Sequence, residues 1–95
     1  MGVIGHSAYF ADQVQSLASV RHGRKFSVGI VHPGSYHFGT GAAEKMTVTS
    51  GELEVKIKGK ETFQLYPAGT SFEVAANSGF DCKAEHPASY HCEYL

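Results

Sequence analysis

The stretch Ser50-Gly51-Glu52-Leu53-Glu54-Val55-Lys56-Ile57-Lys58-Gly59-Lys60 decides the fold. Leu53, Val55 and Ile57 alternate with Glu54, Lys56 and Lys58, the period-two pattern of a strand with one apolar face and one wet face. Gly59-Lys60 closes a hairpin onto Phe63-Gln64-Leu65-Tyr66. Upstream, Lys45–Thr49 repeats the alternation, with Met46 and Val48 on one face and Thr47 and Thr49 on the other. Phe26-Ser27-Val28-Gly29-Ile30 places Phe26, Val28 and Ile30 on one face. Tyr36-His37-Phe38 is a short strand between the turns Pro33-Gly34 and Gly39-Thr40-Gly41. Ser71–Ala75, Phe80–Ala84 and Ser89–Tyr94 complete the run, the last with Tyr90, Cys92 and Tyr94 sharing a face. Ser7–Val20 reads as a short turn followed by a strand. Glycines cut the apolar runs about every 8–12 positions, and no stretch carries a long helical stripe. The pattern predicts an all-β chain of roughly eight to ten strands in an antiparallel barrel or jelly roll, which protects its edges by closure.

With 95 residues the expectation is one domain, 1–95. A chain this short buries only about 60–65% of its unfolded surface and cannot support two cores. A hydrophobic fraction of 42% and a charged fraction of 18% separate it from disordered chains. The net charge of −1 gives no field for nucleic acid. No apolar run approaches the roughly 20 residues of a membrane helix. Met1–Ser7 lacks the basic and apolar regions of a signal peptide, so a cytoplasmic location is expected. In that compartment Cys82 and Cys92 are expected to be reduced thiols.

The segment from His37 to Gly51 resembles the first cupin motif, H-x-H-x(3 or 4)-E-x(6)-G, with Glu44 and Gly51 in place. His37 falls on the first histidine and Gly39 on the second. Pro67-Ala68-Gly69 resembles the start of the second motif, P-x-G-x(2)-H, but Phe72 occupies its histidine position. The resemblance implies a cupin-type barrel. Two of its four ligand positions lack a donor, and a divalent ion needs three or four converging donors, so no metal is expected.

A closer resemblance covers nearly the whole chain. Glu44-Lys45-Met46-Thr47-Val48-Thr49-Ser50-Gly51-Glu52-Leu53-Glu54-Val55 is similar to the E-x-M-T-V-x-S-G-x-L-x-V core of the small pyrimidine/purine nucleoside phosphorylases. Ser7-Ala8-Tyr9-Phe10, Ser27–Ile30, Gly34–Phe38, Tyr66–Gly69 with Phe72, and Ser89–Leu95 follow the family order. Extra residues around Arg24-Lys25-Phe26 and Gly39–Ala43 depart from it. The family resemblance implies a metal-free cupin that cleaves purine and pyrimidine nucleosides with inorganic phosphate, giving free base and (deoxy)ribose 1-phosphate. It implies no cofactor beyond phosphate as co-substrate. A non-catalytic cupin that senses a sugar or nucleotide is the alternative, and a metal-dependent isomerase or dioxygenase is a third.

Phosphorolysis needs a cationic pocket for phosphate, groups for the ribose hydroxyls and a donor for the departing base. Arg24, in phase with the apolar face of Phe26, Val28 and Ile30 and so expected to point toward the barrel mouth, is the candidate for phosphate, its planar fork matching phosphate oxygens. Lys25, Lys45 and Arg21 read as surface charges. Gly39-Thr40-Gly41 reads as a plain turn more than as an anion nest. Glu44 is the candidate for the ribose hydroxyls and His37 for protonating the base. Strand alternation admits either His37 or the Tyr36/Phe38 pair to the inside. Tyr36 would stack on the base, while Thr47 and Phe72 complete the candidate binding set. A small barrel with an apolar strand face also predicts a homodimer.

Overall fold

Alternation resolves into two antiparallel sheets in the computed structural model, which describes residues 4–95; Met1–Val3, part of the stretch read for a leader, lie outside the described residues. The strands are β1 (Gly5–Tyr9), β2 (Val14–Arg21), β3 (Arg24–Val31), β4 (Gly34–Gly39) and β5 (Glu44–Ser50). They continue as β6 (Glu52–Ile57), β7 (Gln64–Pro67), β8 (Ser71–Val74), β9 (Gly79–Ala84) and β10 (Ala88–Tyr94). One sheet has the order β1-β2-β3-β10-β5-β8 and the other β4-β9-β6-β7. The described residues contain no helix. This is an all-β, cupin-type jelly roll.

The core lies between the sheets. Leu53 and Val55 of β6 are 1% and 2% exposed, and Met46 and Val48 of β5 are also buried, as their alternation predicts. Burying side chains of this size stabilises the fold by about 1.5–3 kcal/mol each. Phe80 at the centre stacks on Phe38 at 5.2 Å and meets Phe72 edge-on at 5.3 Å. The β6–β7 hairpin pairs Leu53 with Tyr66 and Val55 with Gln64.

Two expectations are corrected. Gly5–Tyr9 is a strand, paired from Gly5–Ala18 to Tyr9–Val14, where a turn was expected. The β1–β2 connection holds Phe10, Ala11 and Asp12 at φ of 54°, 54° and 68°, a left-handed conformation costing about 1–2 kcal/mol per residue. Packing of Phe10 on Tyr36 at 4.9 Å and Phe38 at 5.6 Å offsets part of that cost.

The face of β3 is the second correction. Val28 and Ile30 are 41% and 55% exposed, while Ser27 and Val31 are 3% and 1% exposed. Phe26, Val28 and Ile30 therefore share the outer face, and Arg24 shares it with them. Small residues take the inner face because Tyr90 of neighbouring β10 lies across Gly29.

Candidate active-site cavity

Glu44, Met46 and Val48 point inward from β5, and Tyr90, Cys92 and Tyr94 point inward from β10. Antiparallel pairing sets Tyr94 opposite Glu44, and Cys92 opposite Met46 on one side and Ser27 on the other. Inward parity thus builds a cavity of about 230 Å³ between the sheets. Its polar wall is Ser16, Ser27, Glu44, Tyr90, Cys92 and Tyr94, all from the six-stranded sheet. The opposite wall is mostly apolar, formed by Phe38, Leu53, Phe80 and Cys82 of the four-stranded sheet, with His37 and Gly39 at its edge. Tyr9 and Phe10 close one side. The volume lies below the roughly 300–1,000 Å³ of drug-sized sites and suits a compact ligand.

The polar wall is electrostatically coupled. Burial raises the Glu44 carboxyl above its ordinary value of 4.5, and a hydrogen bond donated by the Cys92 thiol partly opposes the rise. Burial, reinforced by the Glu44 charge, pushes the Cys92 thiol up to about 12. Burial also raises both phenols, Tyr90 and Tyr94. The Tyr94 hydroxyl lies 3.3 Å from Ser27 Oγ. At neutral pH the wall therefore offers one carboxyl among neutral donors that hold their protons.

Glu44 is the one predicted site residue whose side chain stands in this polar wall. His37 is turned the other way. Tyr36 and Phe38 take the inner face of β4, and the His37 side chain is 65% exposed at the rim, with Nδ1 2.8 Å from Asp81 Oδ1. Arg24 lies on the outer face of β3, away from the cavity, because its phase is that of exposed Val28 and Ile30. Tyr36 is buried, and its hydroxyl lies 2.9 Å from the His32 carbonyl and 3.0 Å from the Pro33 carbonyl. Its hydrogen-bonding edge is thus taken up locally. Thr47 faces out from β5, with Oγ1 2.8 Å from Ser71 Oγ. Phe72 is a core ring packed on Tyr66 at 4.8 Å. Thr40 is fixed in its turn, donating to the Ala75 carbonyl at 2.7 Å and accepting from Ser78 N–H at 2.9 Å.

The residues present do not fit the divalent ion common in cupins. At the four motif positions Glu44 points in, His37 points out, Gly39 has no side chain and Phe72 offers only hydrocarbon. Among the described residues no three His, Cys, Asp or Glu side chains converge. Cys82 and Cys92 are both free and buried, one in each sheet.

Sequence reasoning missed Ser16 and Ser27 as wall residues. Their signal was present as polar side chains on the buried parity of β2 and β3, which the apolar Phe26-Val28-Ile30 set obscured.

The sequence pattern of one family, pyrimidine/purine nucleoside phosphorylase, matches residues 4–94. A protein of Sorangium cellulosum named pyrimidine/purine nucleoside phosphorylase is 50% identical over 93 residues, 98% of this chain and 100% of the relative. A crystal structure of a protein of unknown function from Vibrio parahaemolyticus superposes with a TM-score of 0.95 at 44% identity, covering 98% of this chain and 99% of that one. An RmlC-like cupin from Shewanella frigidimarina shares the fold, with a TM-score of 0.72 at 14% identity over 96% of this chain and 91% of that one.

Proposed function

The chain belongs to the pyrimidine/purine nucleoside phosphorylase family, and on that premise we propose that it cleaves purine and pyrimidine nucleosides with inorganic phosphate. The end-to-end family match carries this reading, and the two-sided cavity supports it chemically. A phosphate oxygen bonds to C1′ of the sugar as the C1′–N bond breaks. The electron pair leaves with the base, which takes up a proton, and the other product is (deoxy)ribose 1-phosphate. Charge develops on the sugar as positive and on the base as negative, so the site must hold donors and a carboxyl in place.

Glu44 faces the sugar hydroxyls, its orientation supported by the Cys92 thiol. The Tyr90 and Tyr94 hydroxyls and Ser27 are the donors available to the departing base. The base rests on Phe38, Leu53 and Phe80. Apart from the Cys82 thiol and the His37 imidazole at the rim, that wall has no side-chain donor or acceptor with which to tell a purine from a pyrimidine, which supports broad specificity. His37, paired to Asp81 outside, takes no part. The enzyme is read as one domain that works as a cytoplasmic homodimer without metal or organic cofactor, phosphate being its co-substrate.

The test is chelator-treated protein with uridine and adenosine, with base release followed chromatographically. Release only in the presence of phosphate is expected. Folded protein that binds nucleoside yet releases no base would instead be a non-catalytic sensor.

A further inference from the structure

We propose that Phe10, at the tip of the β1–β2 hairpin, is the adjustable wall of the base subsite and sets the size of base that the cavity accepts. The inference rests on the phosphorolysis reading above and names the residue that lets one cavity serve bases of two sizes.

A purine exceeds a pyrimidine by a fused imidazole ring. The wall beneath the base carries little with which to read it by hydrogen bonds, so size is the property left to measure. The cavity of about 230 Å³ falls short of the roughly 300–1,000 Å³ usual for small-molecule sites. Admitting a purine nucleoside together with phosphate requires one lining element to give way. Leu53 and Phe80 are 1% and 2% exposed on β6 and β9, the two central strands of their sheet, and are fixed.

Phe10 has the freedom they lack. It is 44% exposed and lies in the tip beyond the last β1–β2 pair, Tyr9 with Val14. Its ring ends an aromatic row that runs through Phe38 to Phe80, meeting Phe38 edge-on at 5.6 Å. Phe38 and Phe80 join that row from strands, whereas Phe10 reaches it from a turn, where its carbonyl accepts a long 3.2 Å hydrogen bond from Gln13 N–H. β1 pairs with β2 alone and β4 with β9 alone, so no strand pairing ties the tip to the sheet its ring touches.

The left-handed backbone of Phe10, Ala11 and Asp12 holds the tip away from its own minimum, and the ring contacts with Tyr36 and Phe38 keep it there. A base that competes for the Phe38 face loosens those contacts, and the tip relaxes outward as far as the base requires. The far side of the tip stays anchored. The Gln13 carbonyl accepts from His32 N–H at 2.8 Å, and the Asp12 carbonyl from Gln15 Nε2 at 3.1 Å.

Selectivity, rather than rate, is the quantity to measure. Phe10→Ala is expected to raise the ratio of kcat/KM for adenosine to that for uridine about five-fold or more, and Phe10→Trp to lower it by about the same factor. The phosphate KM should stay within about two-fold of wild type in both. Phe10→Leu retains an apolar contact on Tyr36 and Phe38 and should raise the ratio about three-fold, which keeps the test decisive if the alanine variant loses the hairpin. A ratio changed by less than about two-fold in folded Phe10→Leu and Phe10→Trp overturns the assignment, as does a shift in the reverse direction. The chain contains no tryptophan, so the indole in Phe10→Trp also reports on the tip without turnover. Saturating adenosine or uridine, added without phosphate, is expected to shift its emission. Unchanged emission while calorimetry shows nucleoside bound overturns the assignment. Nucleoside bound but never cleaved by the wild type strikes the phosphorolysis reading alone, and the emission measurement still decides the role of Phe10.

Discussion

The hydroxyl of Tyr90 occupies the space a side chain on Gly29 would need: a Cβ built there falls 2.5 Å from Tyr90 Oη and 2.6 Å from Cζ. The same Cβ falls 2.6 Å from the backbone carbonyl oxygen of Gln15, which cannot swing aside. Glycine is required here by close approach of neighbours. Gly29→Ala should therefore destabilise the fold by about 1–3 kcal/mol through overpacking. For a domain of this size that lowers Tm by roughly 5–20 °C, measured by circular dichroism. A melting point unchanged within a degree would show that the Tyr90 ring moves freely.

Glu44 carries the main prediction about chemistry. Glu44→Gln keeps the shape but removes the charge, and should lower kcat/KM for nucleoside by about 100-fold or more. Its stability effect has a defined sign. Burial raises the folded value above 4.5, so the ionised form is the one the fold disfavours. The penalty is absent below about 4.5 and grows as pH rises through the raised folded value. Wild type should lose stability relative to Glu44→Gln as pH rises across that window, measured by urea unfolding at several pH values. Wild type gaining on the variant over the same range would contradict a buried Glu44.

How much of this was legible in sequence is clearest from two strands. In β6, Leu53 and Val55 pack on the core and their charged neighbours meet water, so hydrophobic alternation gave the orientation directly. In β3 the same reasoning inverted the strand. Its inner face borders a polar cavity, where Ser27 faces Tyr94 and Gly29 makes room for Tyr90, while Val28 and Ile30 lie outside. Alternation reports burial in an apolar core, and a strand that walls a polar site breaks the rule. Arg24 inherited that inversion. Glu44 was legible from its place in the cupin motif, and β5 carries it inward in phase with Met46 and Val48.

His37 supplies a contrast to Glu44. Its pair with Asp81 is exposed, and exposed pairs stabilise by at most about 1 kcal/mol. His37→Ala should change kcat/KM by less than about three-fold and Tm by only a few degrees. A loss as large as that of Glu44→Gln would place the imidazole at the reacting bond after all.

The two cysteines provide a test of packing. Burial pushes Cys82 and Cys92 up to about 12, so neither is a thiolate at neutral pH. A chromogenic disulfide reagent should find neither thiol in the native protein and both after denaturation. Rapid native labelling of Cys92 would mean that the polar wall opens to solvent.

The cavity's unequal walls have an evolutionary consequence. On the proposed reading the groups that act on the sugar come from β3, β5 and β10, whereas the surface beneath the base comes from β4, β6 and β9. Substitutions in one sheet can retune which base is accepted while the other sheet keeps its chemistry. Selectivity and catalysis can therefore drift separately in a chain of 95 residues.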